Sequence, residues 1–355
     1  MNIYNIINLL FFQVIIAILA FKKRVSFLCS VTLILTLFAP FISASFISIN
    51  YFPDQAKYLD ALLAFRVGDF NLINLSPVVS LSAFLLYLVP TPFIVDTISV
   101  GIVNIFLFNL LFLYIYKLKD MPLQVKYIFL LYPSNIFYAS LCLRDQWICI
   151  FSIVSLIEAI KGNKLKSFLF YLPLIVIKKQ LFIFIFPLLM LITYLDFEIK
   201  TSKVWLLFFS YLLLGIFLIT YLEYYRAVMW YENGLHSFYY KQTENYLLEI
   251  SGSLIRFFFA PFGKNVGKLN TYNQLQLLEN ALMLFVLIKL TLTNFVKNKK
   301  LTFIWIFFLL FSAFCYGFVV DNIGTLSRYK YQILLIYLVV SSYHVNVRLR
   351  QKIKL

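Results

Sequence analysis

Two carboxylates and several cations stand between long apolar runs. The segment YPSNIFYASLCLRDQW carries Arg144 and Asp145, and INYFPDQAKYLDALLAFRVGDFNL carries Asp54 directly after Pro53. The segment DNIGTLSRYKYQ carries Arg328 and Lys330, a Lys178-Lys179 pair interrupts the apolar run 167–195, and tyrosines including Tyr239 and Tyr240 crowd 223–277. These residue types suit a ligand that is both an anion and a polyol. Arginine forks match phosphate oxygens bidentately, and ammonium groups add point charge. A carboxylate accepts a proton from an attacking hydroxyl, and tyrosine rings cover sugar faces while their hydroxyls hydrogen-bond. The catalytic candidates are Asp54, Asp145, Arg144 and Arg328. The substrate-binding candidates are Lys178, Lys179, Lys330, Tyr239 and Tyr240. Each has a plainer role beside the chemical one: a helix cap for Asp54, snorkelling to headgroups for the lysines, an aromatic belt for the tyrosines. The four cysteines lie in or beside apolar runs without a CxxC, and the two histidines, His236 and His344, stand far apart. No metal and no cofactor is expected, and the cysteines read as small buried hydrophobes.

The elements that must position these groups are membrane helices. Of 355 residues 62% are hydrophobic and 13% charged, with mean hydropathy +0.88; a soluble domain carries about 25% charged residues. Too few charges remain to cover a water-facing surface. This excludes a soluble enzyme, a nucleic-acid-binding domain and a disordered chain. Basic residues cluster at 22–24, 117–126, 161–166, 200–203, 297–300 and 348–354. If all six clusters face the cytoplasm, spans fall near 4–20, 26–48, 94–116, 124–139, 146–160, 167–177, 180–195, 203–222, 278–296, 302–320 and 331–346. The expected fold is an all-α polytopic transmembrane helical bundle of about eleven spans, one integral membrane domain over 1–355, with the N-terminus outside. The first apolar run has no basic residue before it, so it reads as a retained span rather than a cleaved signal. The net charge of +16 then lies almost wholly on the inner side, a positive-inside signature rather than a nucleic-acid patch.

Two places strain that layout. The run Ser76 to Val89 is short and ends at Pro90 and Pro92, so it reads as an interfacial or re-entrant helix within an outer loop 49–93. A single helix over 167–195 would put two ammonium groups at mid-bilayer, at roughly 2.5–3.5 kcal/mol each; two short spans meeting at Lys178-Lys179 avoid this. The outer face then holds 49–93, the Arg144-Asp145 turn, a large periplasmic loop 223–277 and the Arg328-Lys330 turn. The inner loops are short, with no P-loop and no GxGxxG. Chemistry on the outer face lacks nucleotides and needs a substrate activated beforehand. The membrane supplies one class of these, sugars linked to polyprenyl (di)phosphate.

The order of a basic cluster, a span, an outer loop with an early Asp, a Pro-led apolar segment, two spans joined by a basic turn, and then P-x(10)-R-D resembles the first half of GT-C class membrane glycosyltransferases. In that resemblance Asp54 and Asp145 match the acids of the first two outer loops that line the active site, implying a GT-C-like arrangement. The long late outer loop, the late Arg in LSRYKYQ and the Phe/Tyr/Ile-rich composition look like bacterial O-antigen polymerases (Wzy) and related repeat-unit polymerases. Asp145 is followed by Gln146 and Trp147, so the DxD or DxE metal pairing is missing. That departure leans toward the polymerase branch, which the resemblance implies is metal-independent. The resemblance implies a polysaccharide polymerase or glycosyltransferase of the bacterial inner membrane. It would join polyprenyl-diphosphate-linked units on the outer face for O-antigen or other surface polysaccharide, alongside a chain-length regulator and a flippase, with membrane lipid but no nucleic acid as partner. The competing expectation is a flippase or transporter of the same lipid-linked oligosaccharides.

Overall fold

The computed structural model describes residues 2–46, 52–69, 76–194, 201–232, 246–260, 271–320 and 323–354, and every regular element among them is helical. The chain forms two compact units, Met1–Ser155 with Leu165–Phe182, and Leu156–Lys164 with Ile183–Leu355.

In the first unit, α1 (Ile3–Lys22) starts on Asn2, whose side chain accepts the Tyr4 N–H. A turn with Arg24 at φ 52° leads into α2 (Phe27–Thr36) and α3 (Ala39–Phe46), an apolar pair bent by 42°. Next come α4 (Asp54–Arg66) and α5 (Pro77–Tyr87), the latter entered through Ser76 as N-cap and Pro77 in the first turn. Helix α6 (Thr97–Tyr116) opens with a reciprocal Asp96–Ser99 capping box and is the buried spine of the unit. Helices α7 (Leu123–Leu131) and α8 (Pro133–Ala139) are separated at Tyr132, whose ψ of 111° is the extended backbone a following proline imposes. Helix α9 (Asp145–Ile160) follows, then α10 (Lys164–Tyr171) and α11 (Leu174–Ile177).

Side-chain bonds fix the direction of the two long spans in this unit. Near their starts, Asn5 Nδ2 donates to Asp96 Oδ2 at 2.8 Å, and Asn8 bonds both the N–H and the carbonyl of Phe93. Near their ends, the Ser26 N–H lies 3.3 Å from the Tyr116 hydroxyl. Burial and the neighbouring Lys117 hold the Lys23 ammonium below the usual lysine range. So α1 and α6 run in the same direction, and the first two basic clusters share one end. The bent α2–α3 pair supplies the return. Helix α5, 11 residues and about 17 Å long, is short of the roughly 30 Å hydrocarbon core.

The second unit contains most of α12 (Lys179–Tyr194), with Pro187 inside it, then α13 (Thr201–Glu232), α14 (Tyr246–Phe259), α15 (Thr271–Lys297) and α16 (Lys299–Val319). It ends with α17 (Ile323–Ile336), a π-helical turn (Tyr337–Ser341) and α18 (Ser342–Lys354). Helix α16 is its centre. Gly317, lacking a side chain, lets the backbone of Ser253 on α14 lie directly against it. Glu249 on α14 pairs with Arg226 at 3.4 Å and Arg256 at 3.7 Å, and the Arg226 guanidinium lies 4.7 Å from the Phe318 ring centre. The Thr291 and Tyr337 hydroxyls, 2.7 Å apart, tie α15 to the π turn.

Among the described residues five helices are long and apolar enough to cross a membrane, or six with the α2–α3 pair taken as one span. Helices α1 and α15 keep wide apolar stripes exposed, among them Leu10, Val14, Ile18, Leu278, Phe285 and Leu292. Water penalises contiguous apolar faces of this kind; they are the faces of a multi-pass membrane protein. Several expected elements take a different form. Residues 124–139 form the two short helices α7 and α8, and 167–177 form α10 and α11. Helix α9, 16 residues, is about 24 Å long. The segment expected as a loop over 223–277 is helical through Glu232, over Tyr246–Phe259 and again from Thr271. The expected DNIGTLSRYKYQ turn is helix from Ile323. Beyond Gly324 it has no breaker, and Leu326, Tyr331, Ile333 and Leu334 are all buried.

Candidate functional site

The Arg144-Asp145 turn is the most heavily buttressed polar feature of the first unit. Asn104, buried in α6, donates through Nδ2 to the carbonyls of Leu141 at 2.7 Å and Leu143 at 2.9 Å. The Ser140 hydroxyl meets that of Ser43 on α3 at 2.6 Å, and the Ser140 carbonyl lies against Gly101, where a Cβ would not fit. From α4, Gln55 Oε1 accepts the Cys142 N–H at 3.0 Å, and the Cys142 thiol donates to the Gln55 carbonyl at 3.4 Å. Burial, together with the charges of Asp60 and Asp96, pushes that thiol up, so it stays a neutral donor. Three helices thus hold one turn, and Asn104 supplies a donor to its Leu143 carbonyl inside the protein.

The turn delivers its charges to the head of α9. Asp145 is the first residue of that helix and fully buried; Gln146 is 1% exposed. Among the described residues, Arg144 Nε and both amide atoms of Gln146 have no hydrogen-bond partner. Buried polar groups are normally satisfied. A guanidinium and an amide left open beside a helix N-terminus, where backbone N–H groups favour anions, can accept a phosphate or a polyol.

Asp54 lies close to this turn in the fold. It is the first residue of α4, next to Gln55, with Pro53 at the cap position; its side chain is exposed and lies 3.7 Å from Lys57 Nζ. The buried side of α4 is Gln55, Tyr58, Ala61, Leu62 and Phe65, while Leu59 and Leu63 are only partly covered. Arg66 closes the far end of α4 by donating to the Thr91 carbonyl at 3.0 Å. Lys178 is buried at the break between α11 and α12, with φ −154° and ψ 77°, and its N–H caps the Leu174 carbonyl; Lys179 is exposed at the start of α12. The two lysines that sequence reads as one turn therefore face different surroundings. Arg328 and Lys330 are buried on α17 in the second unit. Tyr239 and Tyr240 lie outside the described residues. Sequence reading missed Gln55, Asn104, Ser140 and Gln146. An Asn within an apolar 20-residue run was the available signal for Asn104.

The chain has no match among family models, curated proteins or solved structures.

Proposed function

We propose that the protein transfers or polymerises polyprenyl-diphosphate-linked sugar units on the outer face of a bacterial inner membrane, in surface polysaccharide synthesis. The observation that carries this reading is the Gln55–Cys142 pair of hydrogen bonds. It ties the helix headed by Asp54 to the turn bearing Arg144 and Asp145, segments 87 residues apart. In this reading exposed Asp54 accepts the proton of the acceptor hydroxyl. The freed oxygen lone pair forms the new bond to the anomeric carbon, and the bond to the diphosphate oxygen breaks with its electron pair. Arg144 and the α9 N-terminus offset the charge arriving on the leaving diphosphate, a type of contribution worth roughly 10²–10³ in rate per donor. Buried Asp145 positions Arg144. The reading includes about eleven crossings in a GT-C-like arrangement. The parallel course of α1 and α6, with the bent α2–α3 pair as the return between them and α5 too short to span, supports the first three crossings of that count. A flippase and a chain-length regulator are its expected partners.

A second reading, transport of the same lipid-linked units, is favoured by one feature. The span Gly324–Ile353 buries Gln332, Ser341, Ser342 and His344 along its length and contains the π turn. Polar groups inside a span mark solute paths. Deleting the protein separates the two. Loss of the transferase leaves single-unit lipid-linked glycan on the outer face and no long polymer. Build-up of the same glycan on the cytoplasmic face would identify a flippase and end the polymerase reading.

A further inference from the structure

Cations from two distant segments meet where α1 and α6 end. Lys22, Lys23 and Arg24 close α1, and Lys117, Lys119 and Lys126 follow α6. Tyr116 joins the two segments. Its hydroxyl lies 3.3 Å from the Ser26 N–H, and its carbonyl accepts from Lys126 Nζ at 2.8 Å. That ammonium also lies 4.9 Å from the Tyr116 ring centre. Asp120 is the one carboxylate in either segment. Helix α2 starts at the same place on Ser26, whose side chain makes no capping bond, so its first N–H groups add to the attraction for an anion.

Two features here exceed what is needed to orient a span. The first is Arg24. The Val25 N–H reaches back to the Ala20 carbonyl and the Arg24 N–H to that of Phe21, both at 3.0 Å, with Arg24 at φ 52°. Glycine usually fills that position of a helix-ending turn, because a Cβ there crowds the next carbonyl oxygen. The sequence keeps an exposed arginine against that cost. The second is the apolar surface that runs into the cations. Leu10, Val14, Ile18 and Phe21 recur at i, i+4, i+8 and i+11 on α1 and are all exposed, Phe21 at 87%. This stripe is about 17 Å long. Phe27 and Leu28 at the start of α2 and Leu123 at the start of α7 are exposed beside the same charges. A nucleic acid or a free phosphate would meet the cations and leave these side chains bare; a phospholipid matches both. We propose that this corner binds an anionic membrane phospholipid, its phosphate among Arg24, Lys117 and Lys119 and an acyl chain along the α1 stripe. The site is independent of the transferase reading and requires no reaction at Arg144 or Asp54.

The test uses the full-length protein in a neutral detergent, with phosphatidylglycerol as probe. Native mass spectrometry reads the affinity for the first bound lipid, and the melting temperature is followed in parallel. Phosphatidylglycerol is expected to bind and raise the melting temperature, whereas phosphatidylcholine and inorganic phosphate are not. Every side chain substituted is exposed, so each variant should fold. Arg24→Gly supplies the residue that the turn favours. Without lipid it should melt no lower than the wild type, yet it should bind phosphatidylglycerol about fivefold more weakly, the effect of one cation near an anionic headgroup. Lys117→Gln with Lys119→Gln removes two cations and should weaken binding about tenfold or more. Lys299→Gln with Lys300→Gln removes as much charge from the second unit and should bind like the wild type. The proposal is overturned if phosphatidylcholine binds equally, or if inorganic phosphate protects as well as the lipid, which would mark a free-anion site. It is also overturned if either Arg24→Gly or the Lys117 and Lys119 variant binds like the wild type. Equal weakening in the Lys299 and Lys300 variant would overturn it too, as a mark of unspecific surface charge.

Discussion

Asn104 and Leu143 are joined by a 2.9 Å hydrogen bond from the buried amide to the carbonyl immediately before Arg144. The same amide nitrogen also donates to Leu141. A membrane-length helix thus sets the backbone of the turn that presents the guanidinium. Asn104→Leu removes both donated bonds; the Leu141 carbonyl keeps the Leu143 N–H at 2.9 Å, but the buried Leu143 carbonyl loses its donor, at about 1–3 kcal/mol. The melting temperature of the purified protein should fall, and polymer should fall with it. Asn104→Asp is the sharper test. A carboxylate of nearly the same shape cannot donate when ionised, so it should destabilise at least as much as leucine.

Gly317 is an equally specific constraint in the second unit. A methyl group there would run into the Ser253 backbone, and backbone of a packed helix does not move aside cheaply. Gly317→Ala should cost about 1–3 kcal/mol, the usual range for overpacking. Gly215→Ala is the control: its added Cβ would meet only the Phe311 ring at 3.6 Å, an ordinary contact. Thermal unfolding in detergent should separate the two variants clearly. Equal melting temperatures would mean that α14 and α16 do not pack through Gly317.

The topology can be read by cysteine labelling without altering the native background. Cys29, Cys142, Cys149 and Cys315 are all free and buried, so intact cells carrying the wild-type chain should take up little membrane-impermeant maleimide. Asn71→Cys, Asn233→Cys and Asn322→Cys should each become labelled from outside. Asn163→Cys should stay unlabelled until the membrane is opened. Labelling of Asn163→Cys in intact cells would invert the proposed orientation.

The long apolar spans were legible in the sequence because length and hydropathy alone decide them. Ile3–Lys22, Thr97–Tyr116 and Lys299–Val319 differ from the expected 4–20, 94–116 and 302–320 by a few residues. Charge misled at Arg328 and Lys330: two cations near a span's start read as a turn, yet they lie within α17 because their neighbours are buried. The contacts that build the candidate site were not legible. Gln55 meets Cys142, and Asn104 meets Leu141, across 87 and 37 residues. Nothing in local periodicity encodes which loop folds against which. Gln146 reads as an ordinary residue near a helix start; only its unpartnered, buried amide singles it out.

Asp54 separates the catalytic reading from the structural one. Its carboxylate is exposed, and its pair with Lys57 is an i, i+3 surface contact at 3.7 Å, the kind that contributes about 0.5 kcal/mol or less. Asp54→Asn keeps the size and the Gln55 backbone position, so the protein should reach the membrane at wild-type levels with an unchanged melting temperature. A lost general base removes about 10²–10⁴ in rate, so long polymer should vanish from the glycan ladder while single-unit lipid-linked glycan accumulates. Buried Asp145 should behave differently. Asp145→Asn places a neutral amide at the head of α9 beside Arg144, and it should lower both stability and polymer. If Asp54→Asn cells make polymer of normal length, Asp54 is only the first residue of α4, and the base must be sought at another carboxylate.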